Sequence, residues 1–155
     1  MHDSTASATS VKLVLPSDVK LIDLVHAATE KMAEYAGFDA DEALNVGLAL
    51  REAVINAIVH GNRRDRTLKV QVILSSRGRE FRAKVLDQGR GFDPTAGPDP
   101  TAQENLLNTS GRGLLLMRAF VDDVRFRHRE GRGTEIILTK RRGPSGDEGS
   151  SDDGA

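Results

Sequence analysis

Glu52, Asn56 and His60 stand four residues apart in the largely apolar stretch Leu44 to Asn62. At about 100° per residue in a helix, Asn56 lies roughly 40° around from Glu52 and His60 roughly 80°, so the three share one stripe. A mostly buried helix would then turn a carboxylate and a carboxamide in one direction. Burying such groups without partners costs on the order of 1–3 kcal/mol each, more when charged, so something polar is expected to meet them. Core polar residues bonded to backbone would answer the same demand, and this helix alone leaves both readings open. Three glycine motifs follow it: Asp87-Gln88-Gly89-Arg90-Gly91, Gly111-Arg112-Gly113 and Gly131-Arg132-Gly133-Thr134. A plain turn accounts for any one of them, because glycine permits positive φ. Their placement says more. Gly111 and Gly113 open a helix, where free backbone N–H groups and the helix dipole can receive phosphate oxygens. Asp87 and Thr134 fall at strand ends. A carboxylate and a hydroxyl there, backbone donors at a helix start, and a carboxylate with a carboxamide on a facing helix suit a nucleotide.

The elements that must hold these groups follow from periodicity. Val11 to Leu15 reads as a short strand. Leu21, Leu24, Val25, Ala28 and Met32 then recur at helical spacing, which predicts a helix from about Asp18 to Tyr35, stopped at Gly37. Asp39 and Glu42 have capping-box spacing, so a second helix is expected from Ala40 to Gly61. Four segments alternate with period two: Thr67 to Leu74, Glu80 to Leu86, Asp123 to Arg129 and Thr134 to Lys140. Their apolar positions, such as Val70, Val72, Phe81, Val85, Ile136 and Leu138, form one face. The other face is largely charged, with Ile73, Leu86 and Ile137 as exceptions. Asp87 and Thr134 share the parity of the apolar face and so point toward the helices. A third helix fits between Arg112 and Val121. The expected fold is a two-layer α/β sandwich, with helices covering one side of the sheet and water the other. The segment Asp87 to Gly111 holds three of the five prolines and is too long for an idle connection in so small a domain.

Composition bounds the function. The chain has 155 residues, 38% of them hydrophobic, which suits a single domain. Lysine and arginine total 22 against 23 acids, so no global field recruits nucleic acid or anionic membrane. The arginine-rich sheet face lacks an exposed aromatic on which bases could stack and reads as solvated. There is no cysteine, hence no disulfide framework and no thiolate ligand or nucleophile. The start MHDSTASATS has no basic segment or apolar run, and no stretch approaches the ~20 apolar residues that span a bilayer. A soluble cytoplasmic protein is expected, with residues 1–10 and the acidic tail 142–155 disordered and one domain over 11–141.

E-x-x-x-N-A-x-x-H-G, then D-x-G-x-G, G-x-G-L and G-T, resembles the ATP-binding domain of the superfamily that joins DNA gyrase, a heat-shock chaperone, histidine kinases and MutL. Within it, EAVINAIVHGN, DQGRGFDP and GRGLLLMRAFVDDV look most like the anti-sigma factor serine kinases of the RsbW and SpoIIAB type. The resemblance covers roughly residues 11–141 and implies a Bergerat-type fold with a mixed, mostly antiparallel sheet. It also implies ATP and Mg²⁺, with Asn56 as metal ligand and Glu52 as general base. Asp87 would accept from the adenine amino group, with Gly89, Gly91 and Thr134 around the ring, and Gly111 and Gly113 would wrap the phosphates. Arg112 stands where many superfamily members have an apolar residue. The partners implied are a sigma factor and a STAS-type anti-sigma-factor antagonist in a partner-switching pathway, with the protein itself a homodimer. His60 is read as helping to end the helix, and Arg63, Arg64 and Arg66 as contacting phosphate or an acidic partner, or forming a solvated turn. Two other readings remain. One is a nucleotide-gated binding module that transfers no phosphate. The other, an ATPase of DNA topology or repair, lacks the expected transducer domain; a sensor histidine kinase would need a phosphoacceptor helix pair ahead of the domain.

Overall fold

The structure, a computed structural model, describes residues 7–89, 111–129 and 131–143. Strand β1 (Thr9–Pro16) leads through a 3₁₀ turn (Val19–Leu21) into α1 (Ile22–Tyr35), and α2 (Ala40–Ile55) continues into a π-helical turn (Asn56–Gly61). Then come β2 (Lys69–Arg77), β3 (Glu80–Leu86), α3 (Gly111–Phe120), β4 (Asp123–Arg129) and β5 (Gly133–Arg141). The sheet order is β1-β2-β3-β5-β4. Every pairing is antiparallel, so the expected mixed sheet is antiparallel throughout its described strands.

Local chemistry sets most of the boundaries. Asp18 accepts from the Lys20 N–H at 2.9 Å, which tightens the start of the first helix into a 3₁₀ turn. Gly37, at φ +100°, ends α1, with the Phe38 N–H reaching back to the Ala33 carbonyl at 3.1 Å. Asp39 and Glu42 form the capping box of α2, the Glu42 N–H donating to Asp39 Oδ1 at 2.8 Å. β2 starts at Lys69 rather than Thr67, because both the N–H and the hydroxyl of Thr67 bond Asp65 Oδ1 and hold it in a turn.

Register explains the two faces. Leu13, Val72, Val85, Ile136 and Phe126 lie opposite one another across all five strands and face the helices. Phe81 is fully buried there and packs edge-on against Phe38, ring centroids 6.2 Å apart. The neighbouring row on the open face is Lys12, Ile73, Lys84, Ile137 and Arg125. Ile73, Leu86 and Ile137 all sit on the three inner strands and are only half-exposed, sheltered as the stems of adjacent Lys and Arg side chains can shelter apolar surface. α2 is the middle helix of its layer, between α1 and α3. With its π turn it makes a 22-residue run containing an 18-residue window of mean hydropathy 1.2, long and apolar enough to cross a membrane by length and composition. That corrects the expectation that no stretch approaches such a length, but Val46, Ala49, Leu50, Ala53, Val54 and Ile58 are buried in the core, which is where the apolarity is used.

Candidate functional site

α2 lies against the sheet on its apolar side, and the polar stripe predicted along it turns toward α3. Asn56 is buried, Glu52 is half-buried and His60 is exposed. Opposite them is Gly113, in the first turn of α3. A Cβ at Gly113 would stand 3.3 Å from Glu52 Oε1 and 3.6 Å from Asn56 Nδ2. The carboxylate, the carboxamide and the start of a helix therefore converge with no side chain of residue 113 between them. A helix start favours anions. Asn56 and Glu52 supply hard oxygens of the kind Mg²⁺ takes, and Mg²⁺ needs few of them because it keeps waters and binds phosphate oxygens for the rest. No cluster of three or more His, Asp or Glu side chains that could hold a metal by itself occurs among the described residues. The donor set fits a metal carried in with phosphates.

The second half of the site is built on Asp87, at the end of β3 and only 6% exposed. Its Oδ1 accepts the N–H of Gly89 at 3.0 Å and that of Thr134 at 3.1 Å. Its own N–H donates to the Thr134 carbonyl at 3.1 Å, which continues the β3–β5 pairing past Leu86. Thr134 thus contributes its backbone to Asp87. Gly61 and Gly133 press on this carboxylate. A Cβ at Gly61 would overlap Oδ2, and one at Gly133 would overlap the Asp87 carbonyl. Arg129, at the end of β4, donates from Nη2 to the Asp87 carbonyl at 2.9 Å and to the Arg132 carbonyl at 3.1 Å. Burial pushes the Asp87 carboxyl above the usual carboxylate range; the two backbone N–H bonds and the positive potential of Arg129 and His128 oppose that rise. Burial likewise lowers His128, against the pull of Asp87.

The joint between the halves is the end of the second helix. From Asn56 it unwinds into a π turn, in which the Asn62 N–H reaches the Ala57 carbonyl at 2.8 Å. Gly61 does not end the helix by a left-handed backbone, as a C-terminal glycine commonly does. Arg63 and Arg64 take that conformation, at φ 52° and 60°. What Gly61 supplies is the close approach to Asp87. Asn62, 2% exposed, bonds three other segments at once. Its Nδ2 donates to Ser17 Oγ at 2.8 Å and to the Lys69 carbonyl at 3.0 Å, and its Oδ1 accepts the Gln88 N–H at 2.8 Å.

Glu52, Asn56 and Gly113 are thus brought together, and Gly89, Thr134 and Asp87 form a second group. Gly111 begins α3, and Gly91 lies outside the described residues, as does most of the long segment from Asp87 to Gly111. Arg66 pairs with Asp18 at 3.3 Å on the surface, and Arg112 is exposed. Burial and Arg64 lower the His60 pKa. From sequence, Gly61 reads only as the end of the second helix and Gly133 only as part of a glycine motif, while Asn62 and Arg129 carry no site role. An asparagine immediately after the helix was the one available signal, since a buried carboxamide at a helix end needs partners.

The histidine kinase-like ATPase domain matches residues 15–140 of this chain. The anti-sigma F factor of Clostridium acetobutylicum is 32% identical over 104 residues, covering 65% of this chain and 71% of that protein. The serine-protein kinase RsbW of Bacillus subtilis is 24% identical over 140 residues, 86% of each chain. Among solved structures, the RsbU and RsbW domains of a Mycobacterium tuberculosis protein align with a TM-score of 0.62 at 26% identity, over 86% of this chain and 32% of that longer one. The histidine kinase domain of a blue-light activated histidine kinase from Erythrobacter litoralis shares the fold, with a TM-score of 0.54 at 18% identity over 81% of this chain and 61% of that one.

Proposed function

This chain belongs to the histidine kinase-like ATPase domain family, and on that premise we propose that it is an ATP-dependent anti-sigma factor and protein-serine kinase. It captures a sigma factor and phosphorylates a STAS-type anti-sigma-factor antagonist, as a cytoplasmic homodimer with no direct contact to nucleic acid or membrane. The names of the two curated relatives support both halves of this reading, the anti-sigma activity and the serine kinase activity. The single observation that carries the chemistry is the convergence of Glu52 and Asn56 on Gly113, where the start of α3 meets a carboxylate and a carboxamide.

The roles join the motifs to the positions of the described residues. Asp87 accepts a hydrogen bond from the adenine amino group, beside the backbone of Gly89 and Thr134, and the D-x-G-x-G motif assigns Gly91 to the same contact. Gly111 and Gly113 present backbone N–H groups to the phosphates. Asn56 ligates Mg²⁺, which when bound draws charge from the phosphate oxygens. Glu52 takes the proton from the attacking serine hydroxyl as the Oγ–Pγ bond forms. The bond from Pγ to the β–γ bridging oxygen breaks, and ADP leaves with that electron pair. Glu52 then returns its proton to solvent.

Single-turnover transfer of γ-phosphate to the antagonist tests this. Glu52→Gln keeps the size of the side chain but cannot take the proton, so transfer should fall by about 10²–10⁴-fold while ATP binding and sigma-factor capture persist. Equal transfer from both proteins would remove Glu52 from the mechanism. No transfer from the unmutated protein to a verified partner would favour a nucleotide-gated binding module.

A further inference from the structure

Asp87 can select adenine only if its carboxylate stands at a fixed place relative to the groups on the second helix that meet the phosphates. The strand end that carries it is not held there by the sheet alone. β3 pairs with β2 as far as Leu86 opposite Gln71, and past that point the links to β2 run through side chains. Asn62 supplies one of them. It is the residue after Gly61, whose backbone lies against Asp87 Oδ2, and it comes six residues after Asn56 in the same helical run. Its Oδ1 accepts the N–H of Gln88, immediately after Asp87, while its Nδ2 is anchored on Ser17 and Lys69. The Gln88 side chain closes the ring by accepting the Lys69 N–H at 2.5 Å, and the Ser17 hydroxyl donates to the Leu68 carbonyl at 2.8 Å. One buried carboxamide therefore uses both N–H donors and its oxygen to tie the helix end to the base-side loop and to the strands behind it.

We infer that Asn62 is a positioning residue for base selection: it sets the place of Asp87 relative to the phosphate-side groups, and so fixes the preference for a purine that carries an exocyclic amino group. The inference rests on the reading of Asp87 as the adenine acceptor. A merely structural Asn62 would stabilise the fold and affect all nucleotides alike. A positioning Asn62 affects the contact that Asp87 makes and little else.

The experiment compares ATP with purine riboside triphosphate, the same molecule without the amino group, by titration calorimetry at a temperature where each variant is folded. In the unmutated protein ATP should bind about 10–150-fold more tightly, the worth of one hydrogen bond to a charged acceptor. Asp87→Ala should bring that ratio close to one. Asn62→Ala should also collapse it, by weakening ATP far more than the analogue, and the double variant should show no further loss of ratio, since both changes remove the same contact. Ser17→Ala, which loosens the far anchor and leaves the Gln88 bond in place, should lower the melting temperature and keep the ratio. Asn62→Ser takes the place of Asn62→Ala with the same expectation should the latter fail to fold. Equal weakening of both nucleotides in the Asn62 variant, with the ratio intact while Asp87→Ala abolishes it, would overturn the role of Asn62 alone. A ratio that survives Asp87→Ala would overturn the adenine assignment and this inference with it.

Discussion

Gly61→Ala sets two effects of opposite sign against each other. Gly61 has helical backbone at the end of a π turn, where alanine is favoured over glycine by about 1 kcal/mol on propensity alone. The structure predicts the reverse outcome. The new Cβ would overlap Asp87 Oδ2 and stand 2.5 Å from Cγ and 3.0 Å from Cβ of the same residue. The rigid end of a strand cannot absorb that as a flexible side chain would, so Asp87 must shift by about an ångström and lose the two N–H bonds from Gly89 and Thr134. Hydrogen bonds to a charged group are worth roughly 1.5–3 kcal/mol each, about 3–6 kcal/mol for the pair. Against the propensity gain, the net loss is about 2–5 kcal/mol. For a domain of this size that corresponds to a drop of roughly 4–20 °C in the melting temperature. Calorimetric melting measures it, with Gly78→Ala as a control, since a Cβ there meets nothing within 4 Å and costs only the strain of φ +60°. A Gly61→Ala protein that melts at or above the parent temperature would refute the close packing of the helix end on Asp87.

Two further predictions concern Asp87 and the core. Burial raises the Asp87 pKa, so this group stabilises the fold most below the ordinary carboxylate pKa, and that contribution is lost as pH rises through the raised value. Nucleotide binding has the opposite sign: it needs the ionised acceptor and should weaken as pH falls through the raised value, by up to about tenfold per pH unit. Calorimetric titration over a pH series, read as the difference between the parent and Asp87→Asn so that titration of the nucleotide phosphates cancels, should show this slope in the parent only; parallel curves would refute it. Phe81→Ala, which empties a fully buried site against Phe38, should cost about 3–5 kcal/mol in denaturant unfolding while leaving nucleotide affinity at low temperature unchanged.

The fold was legible because its determinants are local or periodic. Alternation placed Val72, Val85 and Ile136 on the helix side of the sheet, and the Asp39–Glu42 spacing marked the start of the second helix correctly. The parity argument for Asp87 also held, since its carboxylate does face the helical layer. What escaped were contacts between segments distant in sequence. The Gly61–Asp87 approach spans 26 residues, as does the Asn62–Gln88 bond, and Arg129 reaches the Asp87 carbonyl across 42. No periodicity encodes such pairs. The same limit applies to the helix end: glycine there reads as a stop signal from sequence alone, whereas its use is to leave room for a neighbour that only the folded chain brings near.

The π turn carries a consequence for how this chain can vary among its descendants. A turn with i to i+5 bonding holds one residue more than an α-helical turn bonded i to i+4. Glu52 and Asn56 lie before it, Gly61 and Asn62 after it, and the extra residue is taken up inside the turn, so Asn62 leaves in nearly the direction it would have from a regular helix one residue shorter. Removing one position between Ala57 and His60 would let the turn relax to α geometry with Asn62 still directed at Gln88, whereas adding a residue to an already widened turn, or removing two, would swing Asn62 off Gln88. Among descendants of this chain, loss of one residue within the turn should therefore be the change in length this stretch bears. Other insertions and deletions should accumulate past Arg64, where the backbone is already a surface turn.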